Sequence, residues 1–283
     1  MSRWSLWLLA TLLLPAIGIF TLVLVIPGLW LIRMSLNQAL AGGSYRTALT
    51  LENYARFITD PFYLQITLNS VTLSLWVTFI ALILSYPIAL FLFRLKSRWK
   101  SLLLVVTISP LLVSAVVRTY GWIVILGDQG LLNSMLLGLG IINRPLRLIN
   151  NEIGVIIGLV QILMPYMALA LIAGFGRLNP DLEKAAMSLG ARPWVAFLRV
   201  TLPLSLPGVA LGCLLTFALC ISSFVTPKLL GGGRVFLVAT EIYDQALQLL
   251  NWPFAASMSI LLLMAFGLAL VVYSHFTRRF EWE

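Results

Sequence analysis

Six long apolar runs with almost no charged residues restrict what this sequence can fold into. Each run meets the roughly 20 residues that an α-helix needs to cross the hydrocarbon core of a bilayer. Charged residues make up only 10% of the 283, against about 25% in a soluble domain, and the mean hydropathy is +1.00. The sequence therefore predicts an all-α integral membrane protein with a single transmembrane domain over residues 1–283. The six predicted spans lie at about 4–32, 64–93, 101–126, 153–176, 203–227 and 253–276.

The first apolar run follows Arg3, which raises the alternative of a cleaved signal peptide. The run from Trp4 to Ile32 is much longer than the apolar core of a signal peptide (about 7–15 residues), and no small-x-small cleavage site follows it. We therefore expect it to be a retained span.

Basic residues indicate which ends of the spans face the cytoplasm, because Lys and Arg collect in short cytoplasmic loops. Arg94, Lys96, Arg98 and Lys100 follow the second run within seven residues. With the amino terminus inside, the cytoplasmic segments hold 11 Lys and Arg residues, and the mostly longer outer loops hold 7. We therefore expect both termini and the loop at about 177–201 to lie in the cytoplasm. The net charge of +9 does not indicate a nucleic-acid partner, since no basic stripe lies on a polar domain.

The stretch 179–208 is the longest segment between two spans that has the pattern of a folded structure without being a span. Asn179 can cap a helix, with a proline at the first helical position, and Gly190 can stop it. A second short helix is predicted from Pro193 to a point before Pro203. The first helix carries an apolar stripe with small residues at its centre: Leu182, Ala185, Ala186 and Leu189. Helix geometry alone leaves two alternatives equally open. The helix could dock into a groove of another protein, or it could be an amphipathic connector on the membrane surface.

The sequence offers little material for catalysis or for binding a cofactor. It contains no Walker A, G-x-S-x-G or H-E-x-x-H pattern, and its one histidine, His275, cannot form a metal cluster. Cys213 and Cys220 lie in one apolar run and are expected to be buried packing residues. Ion-coupled transport usually needs ionisable groups inside spans, and only Arg118 lies inside one. We therefore expect no enzyme activity and no cofactor on this chain; if it moves a solute, the energy comes from elsewhere.

The segment K-A-A-M-S-L-G at 184–190, followed by V-T-L-P-L-S-L-P-G, resembles the E-A-A-x-x-x-G…I-x-L-P signature of permease subunits of bacterial ABC importers. In that family the loop forms a coupling helix, which docks into a groove on a cytoplasmic ATPase. Lys184 stands where the signature has glutamate, and Glu183 precedes it, so the glutamate's contact either falls to Glu183 or is missing here. The residues that the resemblance assigns to ATPase docking are Leu182, Glu183, Lys184, Ala185, Ala186, Leu189 and Gly190.

Further blocks, in the same order, are similar to those of the spermidine/putrescine permeases, the polyamine branch of that family. They include N-Y-x-R-F at 53–57, R-T-Y-G-W at 118–122, S-F-V-T-P-K-L-L-G-G-G at 223–233 and N-W-P-F-A-A at 251–256. The resemblance implies a bacterial inner membrane, a polyamine cargo delivered by an external substrate-binding protein, a second permease subunit, and two ATPase copies that carry ATP and Mg. The alternatives are the same machine with another small amino compound, such as an opine or an aminophosphonate, and a non-transporting membrane scaffold.

Polar residues in or near the spans are candidates for a substrate pathway, although such groups more often bond helices together or lie solvated in loops. Arg118 fits either a gate or a side chain that reaches the headgroups. The second is favoured because an arginine would repel a cationic substrate. Outer acids can attract such a substrate. The pathway candidates are Asn69, Tyr86, Tyr120, Asp128, Gln161, Tyr166, Glu241 and Asp244. The prolines expected to kink or bound spans are Pro87, Pro110, Pro165 and Pro207.

Overall fold

The computed structural model describes residues 13–15, 18–176 and 178–278. It divides into two compact units, with limits at 1–64 plus 241–265 for the first and 65–240 plus 266–283 for the second.

Helices dominate, because a backbone inside a bilayer must satisfy its own hydrogen bonds. In chain order the elements are α1 (Ile26–Ser35) after a π-helical turn (Thr21–Val25), β1 (Gln38–Ala39), a 3₁₀ turn (Ala41–Gly43), β2 (Tyr45–Arg46), α2 (Glu52–Thr59), α3 (Pro61–Arg94), α4 (Trp99–Ile108) with a 3₁₀ turn (Ser109–Leu112), α5 (Ala115–Leu126), α6 (Leu131–Gly138), α7 (Glu152–Phe175), α8 (Pro180–Ser188), α9 (Pro193–Ala196) with a π-helical turn (Phe197–Thr201), α10 (Leu202–Ile221), α11 (Val225–Leu230), α12 (Val238–Tyr243) with a π-helical turn (Asp244–Gln248), and α13 (Trp252–Arg278).

Five helices in the described part of the chain are long and apolar enough to cross a membrane, and a bent pair of helices is the sixth candidate. The predicted all-α membrane fold is therefore confirmed. Residues 4–12 and 16–17 of the first predicted span lie outside the described residues. The five helices are Leu13–Ser35, Pro61–Arg94, Glu152–Phe175, Pro193–Ile221 and Trp252–His275.

The third apolar run is not the continuous helix predicted at 101–126. It forms the bent pair, Trp99–Leu112 and Ala115–Gly138, with an angle of 93° between the two parts. Val113 and Ser114 between them have ψ angles of 132° and 137°, which are not helical. Two such residues in succession interrupt the helical hydrogen bonds, and Pro110 just before them has no N–H to donate. The run is therefore interrupted by a sharp bend, a geometry that fits a broken span or a re-entrant loop.

The helix predicted to end before Pro203 does not end there. It continues without a break from Pro193 to Ile221, so the fifth span begins and ends earlier than the predicted 203–227. A proline inside an α-helix loses one hydrogen bond and crowds the carbonyl four residues back. The π-helical turn directly before Pro203 has a wider hydrogen-bond spacing than an α-helix, and this lets the proline fit into a continuous helix.

In the second unit, α3, α7 and α10 pack through small side chains. A Cβ atom added to Gly174 of α7 would lie 2.6 Å from the Cα of Gly208 in α10. The Ser85 hydroxyl of α3 donates to the Met164 carbonyl of α7 at 3.1 Å. Close approach through small residues is how helices associate in membranes, where the hydrophobic effect gives little drive. The buried small polar residues of α3 are Ser70, Ser74, Thr78 and Ser85. Cys220 is buried and Cys213 is half-buried, and both are free thiols.

In the first unit, β1 and β2 form an antiparallel hairpin, and α2 is fixed to the end of α1. The Asn53 side chain of α2 donates to the carbonyls of Ser35 and Asn37, each at 2.8 Å. The hydroxyls of Ser35 and Tyr54 lie 2.6 Å apart. These bonds hold α2 directly before the start of α3.

Candidate functional site

The helix α8 is formed by local signals that are visible in the sequence. The Asn179 side chain accepts a hydrogen bond from the Asp181 N–H at 3.0 Å and caps the first turn. At the other end, the Ala191 N–H donates to the Ala186 carbonyl at 3.1 Å. Gly190 adopts a φ of +91°, a left-handed conformation that glycine takes at little cost. The predicted helix over 182–189 is therefore present, one residue shorter at its carboxyl end.

The predicted apolar stripe of α8 is largely uncovered by this chain. Leu182 is 46% exposed and Leu189 is 89% exposed. Ala185 is also exposed, and Ala186 is half-buried. Exposed leucines flanking alanines leave room for another backbone to approach closely, as at a docked interface. The structure thus presents this stripe as an open surface.

Glu183 is turned away from the stripe and ties α8 to two other helices. Its two carboxylate oxygens accept hydrogen bonds from the Arg94 guanidinium at 2.7 and 2.9 Å. One of them also accepts from the Thr201 hydroxyl at 3.1 Å. Arg94 is the last residue of α3, and Thr201 ends the π-helical turn before α10. The Glu183 side chain is only 20% exposed, so it acts as an internal anchor.

Lys184 takes the opposite direction and remains at the surface. Its ammonium group pairs with Asp181 at 2.6 Å, and its side chain is 63% exposed. The hydrogen bond and the charge of Lys184 hold the pKa of the Asp181 carboxyl below its usual value. Because Glu183 is engaged by Arg94 and Thr201, it does not replace the surface position that Lys184 occupies.

Replacing Glu183 by glutamine is expected to loosen α8. The substitution removes the charge that Arg94 binds while keeping the side-chain shape. A charge-assisted bond in this half-exposed setting contributes about 1 kcal/mol, so amide hydrogen exchange in α8 should become about fivefold faster. The matched control is Lys184→Gln in the same helix, which breaks only an exposed pair and should leave exchange in α8 unchanged. Equal exchange rates in the two variants would show that Glu183 is not an anchor.

An open depression lies beside α8 on the same surface. Its volume is about 340 Å³, and it is lined by Phe93, Arg94, Lys96, Glu183, Lys184 and Met187. Apolar side chains and cations therefore border the stripe together. This combination suits a protein partner with acidic and apolar groups.

Three pathway candidates lie within the helix packing of the second unit. Gln161 accepts a hydrogen bond from the Trp122 indole at 3.2 Å. The Tyr86 hydroxyl lies 3.0 Å from the Ser205 hydroxyl and links α3 to α10. Tyr166 is half-buried in α7. The first two contacts are bonds between helices, the structural alternative for these residues.

The remaining candidates in the second unit lie nearer its surface. Asn69 is half-buried in α3. Tyr120 is 55% exposed on α5. Asp128 is exposed in a depression that Arg144 and Arg147 also line. The two arginines offset the negative charge of Asp128 there, so this surface has no excess of negative charge to attract a cation.

The two acidic candidates of the first unit, Glu241 and Asp244, are not fully exposed. Glu241 is 8% exposed and accepts a hydrogen bond from the Gln245 side chain at 2.9 Å. Asp244 is partly exposed at the start of a π-helical turn. Within the described part of the chain, no group of three or more His, Cys, Asp or Glu side chains is arranged to hold a metal ion.

Sequence reasoning missed the partners that hold α8 and the loop after α6. The sequence marks Arg94 only as one of a group of basic residues, although its place in the last turn of a predicted span is a signal that it can reach a loop. Thr201 gave no signal. Asn133 is fully buried; it donates to the carbonyls of Gly127 and Leu146 and accepts from the Leu146 N–H at 2.8 Å. The available signal for that role is its place after two glycines in the segment G-D-Q-G-L-L-N at 127–133.

No protein-family model matches this chain. The spermidine/putrescine transport system permease protein PotB of Haemophilus influenzae (strain Rd) is 38% identical over 248 residues, covering 88% of this chain and 86% of that protein. PotB of Escherichia coli K12 is 36% identical over 257 residues, covering 91% of this chain and 93% of that protein. Among solved structures, a chain of a bacterial alginate ABC transporter in complex with an alginate pentasaccharide-bound periplasmic protein superposes with a TM-score of 0.79 and 20% identity, over 97% of this chain and 95% of that one. The structural likeness extends over nearly the whole chain, and at this identity it concerns the fold alone.

Proposed function

This chain belongs to the permease family of spermidine/putrescine transport systems, and on that premise we propose that it carries spermidine or putrescine across the bacterial inner membrane as one subunit of an ATP-driven importer. The observation that carries the proposal is 38% identity over 88% of the chain, a range that includes α8 and at least four of the candidate spans. In this proposal the chain forms part of the membrane pathway, and partner subunits hydrolyse ATP.

The proposed partners are a second permease, two copies of an ATPase that bind ATP and Mg, and an external substrate-binding protein. The exposed stripe of α8 supports docking of the ATPase, because Leu182 and Leu189 are uncovered while Glu183 holds the helix in place. ATPase motion applied to α8 would reach α3 and α10 through the Glu183 contacts. This route would couple ATP binding to the opening of a pathway between the permeases.

Both termini and α8 are proposed to lie in the cytoplasm. The excess of Lys and Arg in the inner segments, 11 against 7 in the outer loops, supports this orientation. It also puts α8 on the side where ATP is available.

A reconstituted complex with its binding protein tests the proposed cargo. Spermidine-loaded binding protein should raise the ATPase rate severalfold over unloaded binding protein, because cargo delivery completes the transport cycle. The control cargoes are an opine and 2-aminoethylphosphonate in the same assay. Stimulation by one of these instead of spermidine or putrescine would show that the cargo is different, while the assignment as an ATP-driven importer would stand. No stimulation by any of them would favour the membrane scaffold.

A further inference from the structure

Arg118 of α5 has a guanidinium group that is only partly satisfied. Its Nε and Nη1 atoms are buried and have no hydrogen-bond partner among the described residues. A guanidinium is a cation that only donates hydrogen bonds, and buried donors in proteins are almost always bonded. In a side chain that reached the lipid headgroups, these two nitrogens would be hydrated. The burial of Arg118 therefore calls for an acceptor from outside the described chain.

The contacts of α5 place Arg118 deep in the membrane. Trp122, one helical turn further along α5, donates from its indole to the Gln161 side chain of α7 at 3.2 Å. Gln161 lies nine residues after the start of α7, which is about 14 Å along this span and near its middle. Hydrocarbon at this depth offers no acceptor to a guanidinium. The missing acceptor must therefore enter the membrane with another molecule.

Arg118 also lies at the edge of a helix surface that this chain leaves uncovered. The residues of this surface, called the α5 face, are 62%, 55% and 72% exposed; they are Val117, Tyr120 and Val124. The opposite side of α5 is buried, and there the hydroxyls of Thr119 and Thr226 of α11 lie 3.1 Å apart. At about 100° per residue, Arg118 falls between the α5 face and the side that carries Trp122. A helix that covered the α5 face can therefore reach the guanidinium.

We propose that the α5 face packs against a helix of the second permease, and that Arg118 pairs there with a carboxylate of that subunit. The existence of the second permease rests on the proposed function. A carboxylate offers a guanidinium two acceptors at once, and aliphatic side chains beside the pair suit a helix–helix contact in a membrane. The buried charge of Arg118 then decides which permease can join this chain, because a partner without the acid leaves the charge unpaired.

Three other occupants of the α5 face do not meet the requirements of Arg118. Lipid tails carry no acceptor for the two buried nitrogens. A polyamine is itself a cation that only donates hydrogen bonds, so the guanidinium repels it. A second copy of this chain would bring an identical α5, whose sequence A-V-V-R-T-Y-G-W-I-V-I-L contains another arginine and no carboxylate. The chemistry of the face thus favours a heterodimer over a homodimer.

Photo-crosslinking identifies what covers the α5 face. The variant is Val124→benzoylphenylalanine, a photoreactive side chain, in the full transporter within native membranes. After irradiation, the adducts are identified by mass spectrometry. The expected adduct joins this chain to the second permease. Adducts with lipid alone, or with a second copy of this chain, overturn the proposal.

The charge requirement is tested by the rate at which the second permease exchanges between tagged and untagged complexes in detergent. Arg118→Gln removes the charge and should speed this exchange about tenfold or more, because the opposing carboxylate is left unpaired. Arg118→Glu has the same size and opposes two negative charges, so exchange should be faster still. Arg118→Lys keeps the charge and should remain closest to the wild type. The matched control is Arg144→Gln in an exposed loop of the same unit, which should exchange at the wild-type rate.

The order of the rates separates charge pairing from a structural role of Arg118. If the side chain only fills space, Arg118→Gln and Arg118→Glu exchange alike, and the pairing is rejected. If Arg118→Glu does not fold, the comparison of Arg118→Lys with Arg118→Gln carries the test, and equal rates in these two variants overturn the proposal.

The wild-type complex distinguishes a failure of this pairing from a failure of the proposed function. If the tagged chain purifies with a second permease and all Arg118 variants exchange at the same rate, the pairing alone is rejected. If the tagged chain purifies with no second permease, the proposed assembly is rejected and the pairing with it.

Discussion

Replacing Gly208 by alanine is expected to lower the yield of folded protein several-fold. The added Cβ would lie 2.8 Å from the Cα of Gly174, and the atoms it meets belong to the backbone of α7. A backbone cannot turn aside as a side chain can, so α7 and α10 would have to separate along their contact. Overpacking of a core costs about 1–3 kcal/mol and sometimes more, a large part of a total stability of about 5–15 kcal/mol. The measurement is the yield of monodisperse protein in detergent together with uptake activity.

The matched control for this prediction is Gly121→Ala in α5. A Cβ at Gly121 has no atom within 4 Å, and alanine favours a helix by up to about 1 kcal/mol over glycine. We expect the yield of this variant to equal or exceed that of the wild type. A normal yield from Gly208→Ala would show that α7 and α10 do not approach each other as closely as Gly174 and Gly208 indicate.

Ala186→Asp is expected to abolish co-purification of the ATPase while the permease itself still folds. Ala186 lies in the exposed stripe of α8 between Leu182 and Leu189. A carboxylate there would be buried without a partner once the ATPase docked, which costs about 2–5 kcal/mol in an interface. Binding would weaken about 30-fold or more, since each 1.4 kcal/mol is about tenfold. The measurement is recovery of ATPase on the tagged permease, together with the elution volume of the permease.

Ala186→Ser keeps the small volume and adds no charge, so it serves as the control and should retain the ATPase. Because the ATPase acts in the cytoplasm, loss of docking in Ala186→Asp would also support the proposed orientation of α8. Undisturbed co-purification with Ala186→Asp would reject docking at this stripe and favour the alternative of a connector on the membrane surface.

The parts of the fold that follow from local signals were predictable. Apolar length alone identified the spans, since a bilayer demands about 20 apolar residues per helix. The cap at Asn179 depends on a side-chain acceptor two residues from its donor. The stop at Gly190 depends on the left-handed backbone of that one residue. Both are therefore short-range effects. The failures occurred at prolines. Pro203 is predicted to end a helix, but the π-helical turn before it makes room for the proline ring, and the helix continues. Pro110 lies just before a 93° bend, which cannot be seen in the sequence because the apolar run continues through it.

The division of roles between Glu183 and Lys184 was not predictable. Successive residues on a helix point about 100° apart, so adjacent charges in one motif have different surroundings. Which of them faces inward depends on Arg94, 89 residues earlier in the chain. The contacts of Arg56 and Tyr63 with Phe254 join segments that are still more remote in sequence. A single sequence carries no record of such contacts.

The unbroken helix from Pro193 to Ile221 has a mechanical consequence through its contact at Gly208. The Gly174–Gly208 crossing lies near its midpoint and can serve as a fulcrum. At 1.5 Å per residue, the arm toward α8 is about 22 Å long and the other arm about 20 Å. A tilt of about 10° would therefore move both ends by nearly 4 Å in opposite directions. A rod that pivots near its middle would turn a displacement at one end into a nearly equal and opposite displacement at the other end.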